Sequence, residues 1–90
     1  MTKRDYLLQQ LIEECAEVQR SACNCLKYGE NDVNPSTKQA FWVEIANKIN
    51  DLEAIIGLLG IKKDVKKQQQ RCGRIEYWLN YCRERGRLED

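Results

Sequence analysis

Glu13, Glu14 and Glu17 fall within one short stretch, EECAE, inside the apolar-periodic segment LLQQLIEECAEVQRSACNCL. On a helix, positions three and four apart share a face, so the three carboxylates converge on one arc. Like charges at that spacing destabilise a helix by about 0.2–0.5 kcal/mol per pair, and by more if they are partly buried. Two arrangements compensate them: a solvated acidic face, or a hard cation. Magnesium takes oxygen ligands in near-octahedral geometry and keeps waters that phosphate oxygens can replace, so a few protein carboxylates suffice. A second acidic group should then face the first. Glu44 and Asp51 supply it, since a separation of two helical turns puts them on roughly one face.

Three helices must position these groups. Thr2 and Asp5 form a capping-box pattern, and Leu8, Leu11, Cys15, Val18, Ala22 and Cys25 recur in steps of three and four, predicting a first helix that ends at Gly29. GENDVNPS, residues 29–36, gathers turn-forming residues and reads as a loop. Ser36, with Gln39 three residues on, predicts the start of a second helix through Trp42, Ile45, Ile49, Leu52, Ile56 and Leu59 to Gly60. A third pattern follows Asp64 at Val65, Cys72, Ile75, Leu79 and Cys82, with a break or kink expected near Gly73 and a stop at Gly86. The short connection favours antiparallel packing of the first two helices, which would bring their acidic sets together beside the apolar stripes. The expectation is one all-α domain over residues 1–90: an antiparallel bundle of about three helices per chain, completed by self-association because the second helix is too apolar for a lone unit.

Composition narrows the chemistry. The chain has no histidine, which removes Ser-His and Cys-His triads and histidine-based zinc sites. Five cysteines lack any CxxC spacing, and Cys23 and Cys25 would lie about 200° apart on a helix, so buried thiols are expected rather than zinc or disulfides. No apolar run approaches the roughly 18 residues of a membrane span and no leader pattern opens the chain, so a soluble cytoplasmic protein with no membrane partner is expected. Residues 1–60 carry more acidic than basic side chains and residues 61–90 the reverse. Lys62, Lys63, Lys66, Lys67, Arg71 and Arg74 form a basic run, but no aromatics interleave with it, so a triphosphate is a better partner than nucleic acid. Trp42, Tyr77, Trp78 and Tyr81 are expected in core or dimer contacts.

LIEECAEVQRSACNCLKYG followed by IANKINDLEAIIGLL resembles the all-α nucleoside triphosphate pyrophosphohydrolases of the MazG and dimeric dUTPase superfamily, especially short phage-type members. RIEYWLNYCRERGRL, residues 74–88, looks like the end of those members, so the resemblance covers nearly the whole chain. The family pattern is EExxE on one helix and ExxD on the next. Glu13, Glu14 and Glu17 match the first half. In the second, Asp51 takes the aspartate position while Lys48 replaces the glutamate, giving KINDL; the register one turn earlier keeps Glu44 but loses the aspartate. The first register is preferred because LEAIIGLL then continues the family's helix.

The resemblance implies hydrolysis of an NTP or dNTP to the monophosphate and pyrophosphate. Mg²⁺, or Mn²⁺, would be held by Glu14, Glu17 and Asp51, with Glu44 as a substitute ligand from one turn away. Glu13 would serve as the catalytic group that orients or deprotonates the attacking water. Lys48, Lys27 and Arg74 are candidate phosphate or nucleotide contacts. Lys48 has three readings: an ammonium that repels the metal and pairs with its ligands, a phosphate partner, or a simple i, i+4 pair with Glu44. Beside the enzyme stand two other functions: a degenerate member that binds or sequesters a nucleotide or small phosphorylated signal without catalysis, and a helical interaction protein with no small-molecule site. A homo-oligomer, dimer or larger, is expected; a phage origin would place it in the host cytoplasm.

Overall fold

The computed structural model describes residues 1–89, which form three helices and no strand: α1 (Lys3–Tyr28), α2 (Phe41–Leu59) and α3 (Val65–Glu84). Local chemistry sets most of their ends. Thr2 Oγ1 accepts the Asp5 N–H at 3.0 Å and Asp5 Oδ2 accepts the Thr2 N–H at 3.1 Å, a reciprocal cap on α1. Gly29 ends that helix at φ 94°, and Gly60 ends α2 in the left-handed region at φ 75°. Asp64 caps α3 by accepting the Lys67 N–H at 3.1 Å.

Helix α2 begins at Phe41, five residues after the expected cap at Ser36. Asn34 explains the delay. Its side chain accepts the Ser36 N–H at 2.9 Å, and its backbone exchanges bonds with Gln39 and Lys38, closing a tight loop whose arms meet in a Val33–Ala40 bridge. Ser36 is thereby used in a turn and cannot cap a helix. Helix α3 runs through Gly73 without the expected break, because glycine lowers helical stability without forbidding the conformation.

Helices α1 and α2 pack antiparallel. Arg4 Nη1 at the start of α1 reaches the Leu59 carbonyl at the end of α2, and Tyr28 at the other end stacks on Phe41 with ring centroids 5.2 Å apart. Each helix turns one seam of buried and half-buried residues inward, repeating in steps of four and three: Leu7, Leu11, Glu14, Val18, Ser21 and Cys25 on α1; Phe41, Ile45, Lys48, Leu52, Ile55 and Leu59 on α2. That repeat is the pattern of two helices crossing at a shallow angle. It differs from the stripes read by hydropathy. Leu8, Cys15, Trp42 and Ile49 are exposed, while Glu14, Ser21 and Lys48 take the places that apolar residues were expected to hold.

Helix α3 packs against neither of the others and has no buried residue. The expected three-helix bundle is therefore not closed within one chain. The radius of gyration, 16.6 Å, exceeds the roughly 12 Å of a compact domain of this length. The expected buried thiols are also corrected: Cys15, Cys23 and Cys72 are exposed and Cys25 and Cys82 half-buried, since the α1 seam runs through Glu14 rather than Cys15 and α3 covers nothing. Trp42, Tyr77, Trp78 and Tyr81 are likewise exposed in the single chain. Among the described residues, no helix is long and apolar enough to cross a membrane.

The seam register is directly testable. Leu59→Ala, at a buried seam position, should lower stability by about 2–4 kcal/mol. The neighbouring Leu58→Ala, on the outer face, should lower it by less than about 1 kcal/mol. Urea unfolding followed by far-ultraviolet circular dichroism measures both, and equal losses would contradict this seam.

Candidate functional site

The polar half of the α1–α2 seam opens into a cleft of about 510 Å³, lined by Glu17, Arg20 and Ser21 from α1, and Glu44, Asn47 and Lys48 from α2. A second cleft of about 520 Å³ lies toward the Tyr28–Phe41 stack and shares Asn24 and Asn34 with the first. The two clefts are neighbours, one walled by charged groups and the other by the Tyr28–Phe41 aromatic pair.

Lys48 is central to the charged end. Its ammonium lies 4.0 Å from Glu17 Oε2 across the seam and 3.9 Å from Asp51 Oδ2 one turn along its own helix. Arg20 holds the same Glu17 oxygen at 2.5 Å from the next turn of α1. At about 4 Å Lys48 is attracted electrostatically but is beyond hydrogen-bond length from either carboxylate, so these pairs leave its three N–H donors unspent. Its expected i, i+4 pair with Glu44 is not formed. Glu44 instead anchors the 29–40 loop, its Oε1 accepting from Asn34 Nδ2 at 3.0 Å and from Thr37 Oγ1 at 2.5 Å.

Glu14 occupies a seam position between Leu11 and Val18, and its Oε2 is buried with no hydrogen-bond partner. An unpaired buried carboxylate oxygen costs stability, about 1–3 kcal/mol for a polar group and more when charged. Glu13 is exposed and accepts only from Gln10, at 3.3 Å, outside the cleft. Lys27 is also exposed, its ammonium 5.8 Å from the Tyr28 ring centroid. Arg74 is on the unpacked α3, away from the groove.

Of the expected metal ligands, then, Glu17 and Asp51 flank one cation position, and a lysine fills it. Among the described residues no three acidic or thiol side chains group closely enough to hold a metal ion. The orphaned oxygen of Glu14 suits a cation, but the ammonium between Glu17 and Asp51 does not suit Mg²⁺, which it repels and with whose ligands it already pairs. As folded, the residues do not fit the metal.

Arg20, Asn24, Asn34 and Thr37 escaped the sequence reading. Arg20 was legible as the i, i+3 partner of Glu17, and Asn34 as the residue before Pro35 in a turn; their approach to Glu44 and Lys48 depends on a loop geometry that spacing alone does not encode. No protein-family model, curated protein or solved structure matches the chain.

The orphaned carboxylate generates a stability prediction. Glu14→Leu should raise the unfolding free energy by about 1–3 kcal/mol, since it removes an unpaired buried oxygen and fills a seam position with apolar volume. A loss of stability in urea titration would show that Glu14 has a partner in the folded protein.

Proposed function

We propose that the chain binds a nucleoside triphosphate, or a similar small phosphorylated nucleotide, in the α1–α2 groove. The observation that carries this reading is the ammonium of Lys48, set in the seam at the head of the groove with its donors unspent. Phosphate oxygens would take those donors and the remaining N–H groups of Arg20, with the amides of Asn24 and Asn47 beside them. The base would lie against Tyr28, which is backed by buried Phe41 and is itself 54% exposed. The resemblance of EECAE and KINDL to the MazG-like pyrophosphohydrolases supports the same ligand class. On this reading the chain is a degenerate relative that holds or sequesters its nucleotide.

Pyrophosphohydrolysis to a monophosphate and pyrophosphate is the second reading. The orphaned, buried Oε2 of Glu14, one helical turn before the cleft-lining Glu17, is what favours it.

A homo-oligomer belongs to the proposal as well. Its support is physical: the buried apolar side chains are Leu7, Phe41 and Leu59, while Ile12, Leu58, Val65, Tyr77 and Trp78 stand more than half exposed on three helices. Self-association would cover them.

One set of samples tests these readings. Equilibrium dialysis against ATP, dATP and dUTP should show binding of at least one, weakened about tenfold or more by Arg20→Ala, which removes a charge-assisted contact, and by Tyr28→Ala, which removes a stacking surface. Sedimentation of the same protein should give a mass above the 10.6 kDa chain. Binding without pyrophosphate release supports sequestration, and release of pyrophosphate supports the second reading. Absence of binding to all three nucleotides rejects both.

A further inference from the structure

We infer that Lys48 is a built-in substitute for a divalent cation: its ammonium stands between Glu17 and Asp51, so that the groove takes phosphate without metal and loses this property when the ammonium is removed. The inference rests on the nucleotide-binding reading and deepens it.

Four observations converge on it. Lys48 occupies a seam position, between Ile45 and Leu52, where an apolar side chain would pack best, yet its charge is retained there. Its two acidic neighbours come from different helices, Glu17 from α1 and Asp51 from α2, at nearly equal distances of 4.0 and 3.9 Å. Its intrahelical pairing is with Asp51 at i, i+3, and it adds Glu17 across the seam; Glu44, four residues earlier, is committed to Asn34 and Thr37. Finally, Arg20 adds a second positive charge on Glu17, so Glu17 and Asp51 are matched by two side-chain cations before any ion arrives.

The chemistry separates an ammonium from a metal. Mg²⁺ demands near-octahedral oxygen ligands at about 2.0–2.1 Å and would draw Glu17 and Asp51 inward onto itself. A lysine ammonium needs no such geometry. It attracts both carboxylates from a distance, keeps its N–H groups for a third anion, and cannot diffuse away because it is covalently part of α2. A phosphate oxygen arriving from the groove can accept from those donors without first recruiting an ion. The attraction is therefore present in a metal-free solution.

The test uses the full chain with Mn²⁺ and inorganic tripolyphosphate as probes. Electron paramagnetic resonance of free Mn²⁺ should show at least tenfold tighter binding to Lys48→Glu than to wild type, because the substitution removes the repelling charge and adds a carboxylate where the other two converge. Wild type should bind tripolyphosphate with affinities within about twofold in EDTA and in Mg²⁺. Lys48→Gln, which neutralises the position without adding charge and keeps most of the stem, should lose tenfold or more of the affinity measured in EDTA. Circular dichroism confirms that the helices persist; should Lys48→Glu not fold, Lys48→Gln and the wild-type comparison decide. Equal Mn²⁺ affinity in wild type and folded Lys48→Glu, a tenfold loss of wild-type tripolyphosphate binding in EDTA, or undiminished binding by Lys48→Gln each overturns the inference. Tripolyphosphate binding by none of the three proteins would instead remove the nucleotide reading, while the Mn²⁺ comparison would still report whether Lys48 excludes a metal.

Discussion

Two helices share one seam, and a lysine stands in it. The seam of α1 and α2 is apolar where Leu7, Leu11, Ile55 and Leu59 meet and polar where Glu14, Ser21 and Lys48 stand. A charge in such a place must be compensated, and Glu17 and Asp51 compensate it from the two helices at once. Exposed ion pairs of this length contribute only about 0–1 kcal/mol each, so the cluster is a poor means of stabilising the hairpin. Its consequence is geometric. It fixes an ammonium at the head of a groove and leaves the donors of that ammonium for another anion.

The loop before α2 completes the same groove. Asn34 carries three tasks: it closes the turn through its own backbone, takes the Ser36 N–H on its side-chain oxygen, and donates from its side-chain nitrogen to Glu44. Glu44 is thereby tied to the loop and withdrawn from Lys48, which leaves the lysine to Glu17 and Asp51. Tyr28 and Phe41, the residues on either side of the loop, stack to wall the aromatic cleft. A turn motif thus links the charged cleft to its aromatic neighbour.

Much of this was legible in the sequence, and the parts that were not share a cause. The Thr2–Asp5 cap, the stops at Gly29, Gly60 and Gly86 and the antiparallel pairing of α1 with α2 all follow from local backbone chemistry or short connections. The seam followed only in part: Leu11, Val18, Cys25, Ile45, Leu52 and Leu59 are on it as read, but hydropathy chooses Leu8, Cys15 and Ile49 over Leu7, Glu14 and Lys48, because the true seam carries polar residues at the candidate site. Local rules fail where an element carries something other than packing. Glu14, Glu17 and Asp51 were singled out by spacing and Lys48 by the resemblance of KINDL; that Lys48 would lie between two carboxylates, and that Glu44 would turn to the loop, required the third dimension. The separation of α3, which touches neither α1 nor α2, was not legible either, since its amphipathic pattern reads as that of a packed bundle helix.

The unpacked α3 and the charged seam bear on different properties, assembly and ligand chemistry, and the second is the centre of the account. A crystal structure grown with both Mg²⁺ and a non-hydrolysable nucleoside triphosphate tests it most directly. The account predicts phosphate density within hydrogen-bond distance of the Lys48 ammonium, with that ammonium still between Glu17 and Asp51. An octahedral metal bound by Glu14, Glu17 and Asp51, with Lys48 displaced from the seam, would contradict it.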